Sequence, residues 1–307
     1  MDLFYIILRK IIPLYITIVI GYIAAKFFNV DKKDIGRVVI YIIAPVIVFY
    51  GTFTTPLSFT TLSLPVLFFV ICCSMSLLFF IIGKWVYKED STKNILAFAA
   101  ATGNTGYFGI PVAVAILGQD AFGLVVMLIL GVILYEHTLG FYITARGSYS
   151  KKESIKKVIT LPSVYAFFVG IAFNILNIKL DSNIVDVINS FKGAYVVFGM
   201  MLIGMGLVGT KIKNFDFKFI SLTFLAKFLI YPLVIALVIW LDSSLFHIYN
   251  RYIYNVLIIM SVVPLAANTV ALATELKVQP GKAAIAVLLS TCFALVYIPL
   301  IASIFVK

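Results

Sequence analysis

The sequence predicts an all-α polytopic membrane protein, with about ten transmembrane helices arranged as two inverted five-helix repeats. Three observations lead there. Hydrophobic residues make up 63% of the 307-residue chain, charged residues 12%, and mean hydropathy is +1.11, values far from those of soluble domains. The apolar residues gather into runs of roughly twenty, the length a helix needs to cross the hydrocarbon core. Basic residues cluster in alternate connections between those runs.

Taken in order, the expected spans are 5–25, 36–52, 62–84, 94–117, 121–144, 158–178, 192–210, 218–240, 252–274 and 283–305. Arg9 and Lys10 precede an apolar run that is broken by Pro13, has no small-residue cleavage site and leads straight into the first span, so no cleaved signal is expected. The connection after it carries Lys26, Lys32, Lys33 and Arg37. Those after the third, fifth, seventh and ninth spans carry Lys84, Lys88 and Lys93; Arg146, Lys151, Lys152, Lys156 and Lys157; Lys211, Lys213 and Lys218; and Lys277 with Lys282. The other side holds only Arg9, Lys10, Lys179, Lys192, Arg251 and Lys307. Positive charge stays in the cytoplasm, which puts both termini on the non-cytoplasmic side of the cell membrane. The loop 146–157 divides the chain into a first repeat, 1–145, and a second, 158–307. Five being odd, the second set enters the membrane from the opposite side, which makes the repeat inverted.

Two spans have composition that interrupts a helix. The fourth carries Gly103, Asn104, Thr105, Gly106, Gly109 and Pro111 at its middle, and Pro111 has no N–H for the carbonyl of Tyr107. The ninth carries Pro264, which frees the carbonyl of Met260, with Asn268 and Thr269 following. A plain proline kink accounts for either alone. Two interrupted spans in matching places of the two halves point instead to a binding site at the membrane midplane, with half-helices restarting near the prolines and their positive ends toward an anion. The candidate binding residues are therefore Asn104, Thr105, Gly106, Pro111, Pro264, Asn268 and Thr269. Each Asn has the alternative task of satisfying the broken backbone beside it. Glu136, His137 and Lys227 are ionisable residues within spans, so they are candidates for ion coupling or for an intramembrane ion pair between Glu136 and Lys227.

Other chemistry has little support. The two histidines, His137 and His247, are far apart, and Cys72, Cys73 and Cys292 lie in apolar runs without metal-ligand spacing, so no metal and no cofactor is expected. There is no phosphate-cradling loop and no nucleophile motif, which argues against an enzyme. The excess of basic residues reads as topology and not as nucleic-acid binding.

The run Asn104-Thr105-Gly106-Tyr107-Phe108-Gly109-Ile110-Pro111 resembles the signature in the fourth helix of the auxin efflux carrier (PIN-like) family. Pro13-Leu14-Tyr15 and Gly21-Tyr22 are similar to that family's first helix, and Arg37, Ala44-Pro45 and Phe49 to its second. Lys227 and Pro232 resemble its eighth, and Pro264, Ala273, Glu275, Val278 and Pro280 its ninth and the exit from it. The resemblance covers nearly the whole chain. The connection of about a dozen residues between the halves, and Pro264-Leu265-Ala266-Ala267-Asn268-Thr269 in the ninth span, resemble the microbial branch, linked to dicarboxylates. The resemblance implies a scaffold of helices 1, 2, 6 and 7 and a transport domain of helices 3–5 and 8–10, whose fourth and ninth helices cross. It also implies elevator-like movement of a small organic anion, a mono- or dicarboxylate, by a homodimer in the lipid bilayer. A sodium-coupled carrier of the bile-acid-transporter type and a non-transporting membrane sensor are the alternatives.

Overall fold

The computed structural model describes residues 2–88, 90–145, 152, 160, 162–209 and 215–306, which are helical apart from short connections. The helices are α1 (Asp2–Phe27), α2 (Lys32–Thr54), α3 (Phe59–Tyr87), α4 (Thr92–Ala101), α5 (Thr105–Leu117) and α6 (Ala121–Ala145). After them come α7 (Pro162–Ile175), α8 (Ser182–Gly206), α9 (Phe217–Phe246), α10 (Arg251–Ser261), α11 (Asn268–Glu275) and α12 (Pro280–Phe305). Apart from Lys152, the basic loop 146–157 lies outside the described residues, as do Lys211, Lys213 and Lys307.

Helix starts follow the capping residues. Asp31, Asp181, Asp216 and Asn250 each accept a hydrogen bond from a backbone N–H in the turn that follows, and Ser58 forms a reciprocal capping box with Thr61. The Asp181 cap starts α8 well before the 192 expected from hydropathy. Its first turns are polar and exposed, so an apolar window overlooks them.

Seven helices among the described residues are long and apolar enough to cross a membrane: α1, α2, α3, α6, α8, α9 and α12. The chain is a multi-pass membrane protein. The count falls short of about ten because the fourth and ninth expected spans are each cut into short pieces, and α7 is described over only 14 residues. Its outer surface is apolar: Val66, Val70, Leu77 and Ile81 on α3, and Leu229, Leu233, Leu237 and Trp240 on α9, form exposed stripes at helical spacing.

Three prolines follow a π-helical turn by two residues: Val39–Ile43 precedes Pro45, Thr105–Gly109 precedes Pro111, and Ala226–Ile230 precedes Pro232. The wider turn shifts the hydrogen-bond register so that the missing N–H falls in the first turn of the next α-segment, where it strands no partner. Pro111 therefore does not interrupt its span, against the expectation. The break lies upstream, at residues 102–104.

Packing is closest where glycine removes the side chain. A Cβ on Gly21 of α1 would lie 2.1 Å from the Met201 carbonyl oxygen of α8, and one on Gly204 would lie 1.8 Å from that of Ile18, so these two helices touch backbone to backbone. Asn174 of α7 caps the end of α2, its Nδ2 donating to the carbonyls of Thr52, Phe53 and Thr55 at 3.1, 2.6 and 2.8 Å. Phe68 and Phe79 of α3 and Tyr135 of α6 are fully buried, and Tyr135 Oη donates to Ser76 Oγ of α3 at 2.8 Å. At one end of the bundle Lys282 Nζ lies 2.8 Å from Asp216 Oδ2 and 3.1 Å from Thr92 Oγ1, pinning together the starts of α4, α9 and α12.

Candidate functional site

The two interrupted segments meet at their breaks. α4 stops at Ala101 and α10 at Ser261, and the extended residues between them and the next helices run antiparallel, with Gly103 bridged to Leu265. The Asn104 N–H donates to the Pro264 carbonyl at 2.8 Å, and Ser290 of α12 reaches in so that its Oγ accepts from the Leu265 N–H at 3.1 Å. Backbone that leaves helical geometry inside an apolar bundle must find partners within the protein. Here each break supplies partners for the other.

Pro111 stands in the first turn of the α-segment that begins at Ile110, five residues after helical geometry resumes. Pro264 lies in the extended crossing stretch, and the restarting residues are Thr105 and Asn268, each preceded by backbone that has left the helix. The first N–H groups of α5 and α11 thus belong to residues beside the crossing, and with them the positive ends of two helix dipoles.

A cavity of about 360 Å³ opens at these restarts. Its wall includes Asn104, Thr105 and Gly106 of the first segment, Asn268 of the second, Glu136 of α6 and Tyr195 of α8. The volume suits a small molecule. Asn104 Nδ2 is buried with no hydrogen-bond partner, an amide donor left open. Asn268 Nδ2 donates to Glu136 Oε2 at 2.9 Å, tying the second break to α6.

The sequence profile of a family described as membrane transport protein matches residues 6–302. The chain belongs to that family. It is the auxin efflux carrier-like family that the fourth-span motif resembles, and it makes this protein a transporter and not an enzyme. An uncharacterized transporter of Methanocaldococcus jannaschii is 26% identical over 298 residues, covering 93% of this chain and 94% of its own. One of Methanothermobacter thermautotrophicus is 25% identical over 307 residues, covering 95% and 96%.

In this membrane transport protein the candidate residues separate into two groups. Asn104, Thr105, Gly106, Asn268 and Glu136 share the cavity wall, whereas Pro111, Pro264 and Thr269 do not line it. Thr269 is fully buried, with its Oγ1 lacking a hydrogen-bond partner. The ion pair between Glu136 and Lys227 does not form: Glu136 is held by Asn268, and Lys227 Nζ has no hydrogen-bond partner. The side chain of His137 lies outside the described residues.

Tyr195 was not among the sequence candidates. Its ring centroid lies 5.2 Å from that of Tyr107, and a Cβ on Gly106 would come within 2.7 Å of its hydroxyl. An aromatic residue in an apolar span carries no sequence signal of such a role, and only the small residue opposite it, Gly106, hints that something large fills the space.

Proposed function

We propose that this transporter moves a small organic anion, a mono- or dicarboxylate, which binds in the cavity at the crossing. The observation that carries the reading is that two antiparallel breaks put two restarting helices, at Thr105 and Asn268, beside one cavity with an open amide at Asn104. Neutral donors and two positive dipole ends hold a carboxylate without a fixed ion pair, so the substrate can leave again. Glu136 shares the cavity, and an ionised carboxylate there repels the anion. The anion therefore travels with a proton on Glu136.

Ten spans in two inverted halves, 1–145 and 158–307, fit a carrier whose transport domain (spans 3–5 and 8–10) slides against a scaffold (spans 1, 2, 6 and 7) in an elevator-like cycle. The backbone contact of α1 with α8 at Gly21 and Gly204 belongs to the scaffold in this division. A homodimer in the cell membrane with both termini outside completes the reading, from the family resemblance and the loop charges. Purified protein is screened by thermal shift against mono- and dicarboxylates, and the hits are assayed for flux in proteoliposomes. A carboxylate that both stabilises the protein and crosses the membrane is the expected result. Stabilisation and flux with neutral or cationic solutes alone would overturn the reading.

A further inference from the structure

Tyr195 brings a hydroxyl to the cavity from α8, a helix outside the crossing. Its placement is tight and reciprocal. A Cβ on Gly106 of α5 would lie 2.7 Å from Tyr195 Oη, and a Cβ on Gly199 of α8 would lie 2.4 Å from Cδ1 of Tyr107 of α5. Each helix thus presents a tyrosine to a glycine of the other, and the two rings lie 5.2 Å apart. Tyr195 and Gly199 are about one turn apart, so both contacts fall on one face of α8. α8 itself meets α1 backbone to backbone at Gly204, which gives the ring a firm base.

Packing explains the ring and not its oxygen. Tyr195 is only 8% exposed, and phenylalanine would fill the same space. Its hydroxyl makes no hydrogen bond to any described residue, and a phenol left without a partner in an apolar bundle is a net cost over phenylalanine. The oxygen lies beside Gly106 in the first turn of α5, where leading N–H groups and the positive dipole end favour an anion. Asn104, whose Nδ2 is also unpartnered, stands two residues earlier on the same wall. Two unspent donors from different helices flank the start of α5.

We propose that Tyr195 is the substrate-binding residue that α8 contributes: its hydroxyl donates to the carboxylate that takes the Asn104 amide from α5, and the bare Gly106 leaves the hydroxyl its place. The proposal deepens the reading of the cavity as the anion's site and rests on it.

The test reads binding by thermal shift of purified protein, with lactate, succinate and benzoate as anionic probes and benzamide as a neutral one. Tyr195→Phe is expected to melt no lower than the parent without a probe, and to need about ten to a hundred times more of the stabilising carboxylate for half its shift, the loss of one hydrogen bond to a charged group. Gly106→Ala should weaken the parent's binding likewise. In Tyr195→Phe it should weaken binding by less than a further twofold, because with the hydroxyl gone the nearest ring atom, Cζ, lies 3.7 Å from the added Cβ, an ordinary contact. A ring that only packs would not give that non-additivity. Tyr195→Phe binding within twofold of the parent, Tyr195→Phe melting several degrees lower without a probe, or a further tenfold loss on adding Gly106→Ala would each overturn the proposal. Should benzamide alone stabilise the parent, the proposed function fails, and the same variants titrated with benzamide decide this one by the same criteria. A parent stabilised by none of the four overturns it.

Discussion

The hydrogen bond from Asn268 Nδ2 to Glu136 Oε2, 2.9 Å long and part-buried, reports the charge of the cavity wall. A bond to an ionised carboxylate is worth about 1.5–3 kcal/mol. A neutral hydrogen bond between helices in a membrane protein averages about 0.6 kcal/mol. A double-mutant cycle of Asn268→Ala and Glu136→Leu, read by reversible unfolding in mixed micelles, isolates the coupling. It should approach about 2 kcal/mol where Glu136 is ionised and fall toward about 0.6 kcal/mol where it carries a proton. Acidification, or saturation with the transported anion at constant pH, should drive that fall. Coupling below about 0.3 kcal/mol at every pH, within which independent sites add, would refute the reasoning. Asn268 would then be free to face the ligand.

Other perturbations have definite outcomes. If the anion travels with a proton on Glu136 as proposed, Glu136→Gln should flatten the pH dependence of flux while substrate binding stays near the parent's; an unchanged pH profile would leave Glu136 a packing role. Burial raises the Asp216 carboxyl, and its bonds to Lys282 and to the N–H of Phe219 more than reverse this, leaving it below the ordinary carboxylate range. Its contribution is thus present above the unfolded value of about 3.9 and lost as pH falls through the folded one, so the stability gap between parent and Asp216→Asn, about 1 kcal/mol or less, should close below about pH 4. Single cysteines at the exposed positions Lys33 and Gln119 should react with impermeant reagent from opposite sides, Lys33 from the cytoplasm. Labelling of both from one side would overturn the topology.

The membrane class, the two interrupted segments and the family were legible in the sequence because each depends on composition over many residues or on a motif read along the chain. What was not legible depends on contacts between distant segments. Pro111 looks like a helix breaker until the π-helical turn Thr105–Gly109 is seen to absorb it. The true break at Gly103 is held open by Pro264 and Leu265, about 160 positions later. Glu136 and Lys227 invite pairing as opposite charges within apolar spans, yet Glu136 bonds to Asn268 and Lys227 rests against the far side of Gly103. Asn104 and Asn268 both reach the cavity wall, but only the structure separates an open amide from one already engaged.

The central claim is that an anion is held at the crossing by neutral donors, and Asn104→Asp tests it most directly. The substitution keeps size and backbone fit while turning the open amide into a carboxylate that repels an anionic ligand. For scale, Asn104→Ala removes a hydrogen bond to a charged group, roughly 1.5–3 kcal/mol, and weakens binding by about ten- to a hundredfold. Initial uptake of the transported carboxylate into proteoliposomes is the measurement, with the variant matched to the parent in size-exclusion profile. The account predicts that Asn104→Asp abolishes uptake while the protein remains folded. Uptake equal to the parent's would mean that the ligand is not an anion or does not bind at this crossing.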